Sequence, residues 1–118
     1  MDTILETVRV ACNVGVECTD FDGELIPYTN LMLLGVTQMG VGPAEGFSIK
    51  DADVEWSEFI DEDDPRSEAV KTYVGLKVRM IFDPPTNTTF AQALEKGIAE
   101  AEWRITSAFD YPVSEVTE

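Results

Sequence analysis

Apolar residues recur every three or four positions along four stretches of the chain, which is the spacing of one face of an α-helix. The most apolar stretch runs from Glu68 to Phe82, between Asp64-Pro65 and Asp83-Pro84-Pro85. A residue before proline is driven out of the α region, so this helix should end at Phe82. At its start, the pattern predicts Asp64 as the N-cap and Pro65 in the first helical position.

The apolar face of this helix is broad. Val70, Val74 and Val78 share one side with Ile81, and three larger residues widen that face to more than half of the circumference: Tyr73, Leu76 and Met80. A helix with so broad an apolar surface must be covered on several sides. We therefore expect it at the centre of a bundle, with the other helices packed around it.

A short first helix is predicted by Thr3-x-x-Glu6, which has the spacing of a capping box. The helical pattern continues to Asn13, and Gly15 is a typical C-terminal stop. Cys12 falls on the apolar side of this helix, where a free thiol packs as a small hydrophobic group. The two cysteines, at positions 12 and 18, give neither a disulfide framework nor the spacing of a metal site.

A second helix opens at Thr19-Asp20-Phe21-Asp22. Pro27 lies about one turn inside, where it removes a backbone donor and should loosen the start of the helix. We therefore expect the regular part to run from Pro27 to Gln38, before the Gly40-Val41-Gly42-Pro43 stop. Its apolar stripe is predicted to consist of Phe21, Leu25, Tyr28, Met32, Val36 and Met39.

A fourth helix follows the two prolines. Thr89-x-x-Gln92 reads as another capping box and predicts a helix from Thr89 to Ala108. Trp103 points away from its apolar stripe, and two interpretations have equal weight. The ring anchors a protein–protein contact, or it packs on the 41–60 loop of its own chain. The stripe itself consists of Phe90, Leu94, Ile98, Ala101 and Ile105.

The helical pattern breaks down between Val41 and Asp64. Phe47, Ile49, Val54 and Trp56 suggest short extended pieces, with a small hairpin as one arrangement, and 57–60 suggests one helical turn. The sequence thus predicts a mainly α, four-helix bundle-like single domain with a long irregular loop between its second and third helices. Residues 1–110 form this domain, and 111–118 form a C-terminal tail that is mobile or bound to a partner.

The charge of the chain restricts its partners. It has 23 acidic and 8 basic residues and no histidine, which gives a formal net charge of −15. Such a surface repels phosphate backbones and anionic membranes, although an acidic excess also serves solubility alone. No signal peptide and no membrane span are expected, because the start is acidic and no apolar run approaches the ~20 residues of a span. We expect synthesis in the cytoplasm, with reduced thiols.

The sequence offers little for catalysis. Without histidine, the commonest general base is missing, and no nucleotide-binding, nucleophile-elbow or paired-cysteine motif is present. We therefore expect no enzyme activity and no cofactor. Asp51, Asp53, Glu55, Ser57 and Glu62 match a calcium-loop template, but Trp56 stands where the template needs glycine. We expect this segment to be a solvated acidic loop without a bound metal.

Four segments resemble a known family: ILETVR at the start, GVGPAEGF in the loop, EAVKTYVGLKVRMIFDPP in the third helix and LEKGIAEAEWRI near the end. They stand in this order in the small head–tail connector, or adaptor, proteins of long-tailed bacteriophages. The resemblance covers Ile4 to about Ile105, most of the chain. This chain departs from it at Gly23 and Pro27, where relatives tend to have ordinary helix formers.

The resemblance implies a mostly helical virion protein at the head–tail junction. Relatives form a homo-oligomeric ring of about a dozen copies beneath the portal and extend the DNA channel toward the tail. It implies contact with the portal and with a downstream stopper or tail protein, whereas packaged DNA passes through without specific binding. A terminal extension reaches the portal in this family. The candidates for partner contact here are Tyr111, Pro112, Val113 and Trp103.

A channel for DNA would suit acidic side chains, because like charge keeps the phosphates from adhering. The candidates to line it are Asp61, Glu62, Asp63, Asp64, Glu95, Glu100 and Glu102. Two other functions remain open at this point. The chain is an acidic helical protein that binds a basic partner, such as a DNA mimic, or it is a tail-completion or tail-terminator protein.

Overall fold

Four α-helices form the fold in the computed structural model, which describes residues 2–110. They are α1 (Ile4–Ala11), α2 (Asp22–Gln38), α3 (Ser67–Phe82) and α4 (Thr88–Asp110), and a short 3₁₀ helix lies at Trp56–Glu58. The described part of the chain contains no β-strand. The predicted mainly α, bundle-like fold is confirmed.

Helix α3 lies at the centre, as its broad apolar face predicts, and packs against each of the other three helices. Val70, Val74 and Val78 are fully buried. The prediction fails for Ile81, which is 43% exposed. Ile81 lines an open gap between α2, α3 and α4, so its side chain is only partly covered.

Helix α1 begins as predicted. The Thr3 side chain accepts a hydrogen bond from the Glu6 amide, and the Glu6 carboxylate accepts one from the Thr3 amide, so the capping box is confirmed. The helix is shorter than expected and ends at Ala11. Asn13 takes a left-handed φ of 68°, so the chain turns there, two residues before Gly15. Asparagine tolerates this conformation better than most residues, which explains the early end.

Helix α2 is longer than predicted, because its regular part begins at Asp22 rather than at Pro27. Pro27 lies inside the helix and leaves one carbonyl without its helical partner. The first turn is held by tertiary contacts instead. Asp22 accepts two hydrogen bonds from the guanidinium of Arg9, at 3.1 Å and 2.6 Å, and Leu25 is fully buried.

The predicted N-caps of α3 and α4 are both wrong. Asp64 does not cap α3, because its carboxylate is bound by the amide and the guanidinium of Arg66; Pro65 lies in the preceding turn. At α4, the side chain of Asn87 accepts the Phe90 amide at 3.0 Å, so the helix starts at Thr88, one residue early. The predicted stop of α3 at Phe82 is confirmed.

The loop between α2 and α3 forms no hairpin within residues 2–110. Its extended part pairs with the start of the chain instead: the Ile4 amide donates to the Val54 carbonyl, and the Trp56 amide donates to the Asp2 carbonyl, both at 3.0 Å. Trp56 is fully buried in the core and donates its indole N–H to Thr7 Oγ1 at 2.8 Å. The predicted helical turn appears one residue earlier, as the 3₁₀ helix.

The two cysteines lie in different surroundings. Cys12 is buried in the core, as predicted, whereas Cys18 is half-buried. Burial raises the pKa of the Cys12 thiol to about 11. Since the folded-state pKa exceeds the unfolded value, the buried thiol adds stability below the unfolded pKa. That contribution is lost as pH rises toward 11.

We therefore expect one fast-reacting thiol per chain. At pH 8, a colorimetric disulfide reagent should modify Cys18 quickly and Cys12 only at the rate of unfolding, because the thiolate is the reactive form. The Cys18→Ser variant should show no fast-reacting thiol, whereas Cys12→Ala should keep one. Two fast thiols in the folded wild-type protein would contradict the buried position of Cys12.

Candidate partner-binding surfaces

The helix directions determine which segments meet at each end of the bundle. Helix α1 runs parallel to α3, since Asp2 binds Lys71 at 2.5 Å and Gly75 lies against Ala11. Helix α4 is antiparallel to α3, since Phe90 lies beside Arg79, whereas the later Gly97 lies beside Leu76. Helix α2 is also antiparallel, since Phe21 contacts Phe82 near its start. The starts of α1 and α3 therefore share one end with the end of α4.

Acidic residues concentrate at that end, in a segment that we call the acidic segment, residues 51–64. Eight of its fourteen residues are Asp or Glu, and none is basic. Asp61, Glu62 and Asp63 are exposed. Asp64 differs, because hydrogen bonds from Arg66 hold its pKa below the usual range. Three of the four predicted channel acids in this segment are thus free to meet a partner, and the fourth forms part of the turn before α3.

The charge is unevenly divided along the chain. Residues 1–65 carry 15 acidic and 2 basic side chains, a net charge of −13, and residues 66–118 carry 8 acidic and 6 basic, a net charge of −2. Helices α3 and α4 with Arg66 therefore hold most of the cations. The acidic excess therefore comes mainly from the first 65 residues of the chain.

The remaining channel candidates do not lie together. Glu95 and Glu102 are seven positions apart and share a side of α4, where Glu95 lines the gap beside Met32 of α2. Burial raises the pKa of Tyr73, and the nearby Glu102 carboxylate raises it further. Glu100 lies on another side of α4 and binds Arg104 at 2.7 Å. The structure therefore separates the predicted acids into three locations.

Two open grooves flank an exposed ridge of α3 formed by Glu68 and Thr72, and we call this surface the grooved face. The groove between α1 and α3 is lined by Val10, which is 61% exposed, and by five further apolar or small residues: Thr7, Ala11, Val16, Gly75 and Leu76. The groove between α3 and α4 has a floor of small residues: Ala69, Gly97 and Ala101. Both grooves are open to solvent, and charged side chains also line them: Asp2, Glu6 and Lys71 in the first, and Glu100 and Arg104 in the second.

Trp103 borders the α3–α4 groove with 57% of its surface exposed. Its lining neighbours come from α3, α4 and Pro65, not from the 41–60 loop. The high exposure of the ring favours the first interpretation, a surface available to a partner. An exposed tryptophan beside a groove remains a candidate for partner contact.

A second apolar surface lies on the outward side of α2, and we call it the outer face of α2. It is formed by Pro27, Leu31 and Leu34. All three residues are exposed, Leu31 by 55% and Leu34 by 50%. No residue from Leu25 to Gln38 is charged, although 26% of the chain is. A helix that is apolar on all sides is typical of one that is covered on all sides.

The two surfaces lie on opposite sides of α3. Thr72 belongs to the grooved face, whereas Ile81 lines the gap shared with Met32 of α2. These two α3 residues are nine positions apart, which at about 100° per residue places them half a turn apart. The outer face of α2 points away from α3, because Leu33 and Val36 fill the inward side. One molecule thus offers apolar surface in two opposed directions.

Sequence reasoning missed the outer face of α2 and the Arg9–Asp22 pair. The first had a readable signal, since a charge-free stretch is unusual in so acidic a chain. The second had none, because residues 13 positions apart in different helices meet only through the fold. Arg9 is buried, and it also donates to the Val16 carbonyl at 2.9 Å, which fixes the α1–α2 connection.

Three further predictions concern the C-terminal contact residues, a bound metal and a membrane span. Tyr111, Pro112 and Val113 belong to the segment that the structure does not describe. Within residues 2–110, no group of three or more Asp, Glu or Cys side chains is placed to hold a metal ion. In the calcium-template segment, Trp56 is buried in the core. No described helix combines the length and apolar character needed to cross a membrane.

Comparison with protein families gives a match over most of the chain. The sequence model of a family described as "Phage connector protein" matches residues 4–112. The matched region includes all four helices, the acidic segment, the outer face of α2 and the grooved face. No curated protein and no solved structure matches the chain.

Proposed function

The chain belongs to the phage connector protein family, and we propose that it forms a ring beneath the portal that extends the DNA channel to the tail. The family match over residues 4–112 carries this proposal, because it spans the whole described fold rather than one motif. Membership of this family makes the chain a structural connector protein of the phage head–tail junction.

Its role in this proposal is mechanical. The described helices enclose one continuous apolar core, and the large open surfaces are apolar faces and acidic patches rather than a deep pocket. Such a subunit is suited to joining neighbours. Its partners would be other copies of itself, the portal above and a stopper or tail protein below. The 111–118 segment follows α4, which ends at the same end of the bundle at which α3 begins, and we propose it for the portal contact.

We propose that the free acids keep DNA mobile in the channel. Asp61, Glu62 and Asp63 are exposed at one end of the bundle, and Glu95 and Glu102 are exposed along α4. A ring repeats each acid in every copy, so its inner surface would repel the phosphates wherever these side chains project inward. DNA would then pass without sequence-specific contact. Glu100 contributes less to this repulsion, because Arg104 neutralises it.

Antibody labelling of purified virions tests this proposal. Gold-labelled antibody against the full chain should mark the neck in negative-stain images, and the protein should copurify with the portal. Labelling of purified heads that lack tails gives the matched control, because a ring attached to the portal stays with the head. Virions whose necks carry no label would overturn the proposed location.

The acidic segment could also bind a basic partner, as a DNA mimic does. Salt dependence distinguishes that function from a connector role. A DNA mimic would compete with DNA for a basic protein, and salt would weaken that complex strongly, because exposed charges are screened within about 8 Å at physiological ionic strength. A connector would remain in the particle at the same salt concentration. A tail-terminator protein would instead copurify with free tails rather than with heads.

A further inference from the structure

We infer that adjacent copies of this chain bind head to tail, with the outer face of α2 in one copy packed on the grooved face of the next. This inference rests on the proposed ring, and it names the two surfaces that would build it. In one copy, the apolar side chains of Leu31 and Leu34 on α2 form the contact. Val10, Thr72 and Trp103 mark the receiving surface on the other.

The outer face of α2 needs an apolar cover. Leu31 and Leu34 each expose at least half of their surface, and Pro27 extends the same side by one turn. Neighbouring exposed apolar residues on one helix face form a continuous patch rather than scattered single contacts. Burial of such a patch is favourable in proportion to the apolar area removed from water.

Charge identifies a second copy as the occupant. A basic partner would be recognised through acidic side chains, but α2 carries none between Leu25 and Gln38. The grooved face of another copy carries acids, Glu68 and Glu100 among them, and an uncharged helix face can pack on it without the cost of bringing like charges together. The uncharged stretch of α2 therefore fits another copy of this acidic chain.

The position of the two faces favours head-to-tail packing over a twofold dimer. The outer face of α2 and the grooved face lie on opposite sides of α3, so each copy can bind two neighbours at once. Closed rings need two different surfaces of this kind on every subunit. A twofold contact between two outer faces of α2 would bury those faces and leave the grooved face of each copy exposed to solvent.

The charge division points the same way. Helix α2 belongs to the half of the chain with a net charge of −13, whereas most of the grooved face comes from α3 and α4, in the half with a net charge of −2. Head-to-tail packing sets α2 against a face that contains cations, because Lys71 and Arg104 lie beside Glu68 and Glu100. A twofold α2–α2 contact would contain no cation from either copy of α2.

The shape of the grooved face is suited to a helix. The α3–α4 groove has small residues along its floor, Ala69, Gly97 and Ala101, and the exposed Trp103 on its border. Small side chains let a neighbouring helix approach closely, and a partly exposed tryptophan is typical of interface hot spots. The α1–α3 groove adds Val10 beside the same ridge.

Disulfide trapping tests the proposed pairing. The variant with Leu31→Cys and Thr72→Cys, in the full chain with Cys18→Ser, should form ladders of covalent oligomers longer than dimers under mild oxidation. Each single variant, Leu31→Cys or Thr72→Cys, should give at most a weak dimer. Strong dimers from Leu31→Cys alone would indicate a twofold contact and overturn the inference, as would the lack of a ladder at the highest concentration reached.

A charge variant tests the same surface by affinity. Sedimentation velocity should show self-association of the Leu31→Glu, Leu34→Glu double variant weakened by ~30-fold or more, the effect of losing an interface hot spot. Thr86→Glu is the matched control, because it adds charge at an exposed turn outside both faces and should leave association within about twofold of wild type. Circular dichroism should show both variants folded.

The outcomes separate this inference from the proposed function. If antibody labels the neck but the cysteine variants form no covalent oligomers, the connector location stands and the assigned faces are wrong. The same conclusion follows if the Leu31→Glu, Leu34→Glu variant associates as strongly as wild type. If the cysteine variants form covalent oligomers but antibody does not label the neck of virions, the assigned faces stand and the proposed location is wrong.

Discussion

Replacing Trp56 with alanine is expected to reduce the free energy of unfolding by about 3–5 kcal/mol, the usual cost of truncating a large buried aromatic residue. Trp56 is fully buried, contacts Phe59 edge to face and donates its indole N–H to Thr7. It joins the loop before α3 to helix α1. The loss would remove a large part of the 5–15 kcal/mol typical of a small domain.

Urea denaturation followed by far-UV circular dichroism measures this effect without relying on tryptophan fluorescence. Trp103→Ala is the matched control, because that ring is exposed and its removal should change stability by less than about 0.5 kcal/mol. Trp56→Phe keeps an aromatic ring but loses the bond to Thr7, and an intermediate loss is expected. Equal stability of Trp56→Ala and Trp103→Ala would contradict the buried position of Trp56.

Replacing Gly75 with leucine is expected to destabilise the fold by about 3 kcal/mol, near the upper end for overpacked cores. Gly75 lies where α1 and α3 approach most closely, since a Cβ built there would be 3.0 Å from the Ala11 Cβ and 3.8 Å from the Thr7 side chain. A leucine has no space between the two helices. It would force α1 away from α3 and open the core beneath it.

Gly23→Leu is the matched control, because a Cβ at this helical glycine meets nothing within 4 Å. That change should be neutral or stabilise by up to about 1 kcal/mol, since glycine disfavours helix. Gly75→Ala should remain within about 1 kcal/mol of wild type, because the gain in helix propensity offsets the tight contact. Thermal and urea unfolding measure all three, and a Gly75→Leu protein as stable as Gly23→Leu would contradict the close helix contact.

The helices themselves were predictable, because their apolar periodicity is a local property. The stop of α3 at Phe82 follows from the prolines alone, and the Thr3–Glu6 capping box involves residues three positions apart. Their starts were less predictable. Asp64 has an ideal cap side chain, yet Arg66 binds it, and α2 extends past Pro27 because the distant Arg9 holds Asp22.

The loop between α2 and α3 shows why extended segments are harder to assign. Val54 and Trp56 have the alternation of a strand, and sequence alone favours a partner nearby in the chain. The partner is instead the start of the chain, some fifty residues away. A single pair of backbone hydrogen bonds leaves no local pattern that would reveal such a distant match.

The candidate surfaces were only partly predictable for the same reason. Composition revealed the acidic excess, and the stripe of α4 placed Trp103 off the apolar side. The helical period alone separates Glu100 from Glu95 and Glu102 on α4. Which end of the bundle each acid occupies depends on the helix directions, which the sequence does not give. Leu31 and Leu34 lie off the predicted stripe of α2, but their exposure depends on which side of α2 the rest of the chain covers.

The contrasting positions of the two tryptophans give the protein two separate optical reporters. The indole in the core should emit at short wavelength and resist soluble quenchers, so its signal follows folding. The one beside the α3–α4 groove should be quenched readily until a partner covers it, so its signal would report the proposed contact between copies. One fluorescence measurement can therefore distinguish an unfolded subunit from a folded subunit that has not bound a second copy.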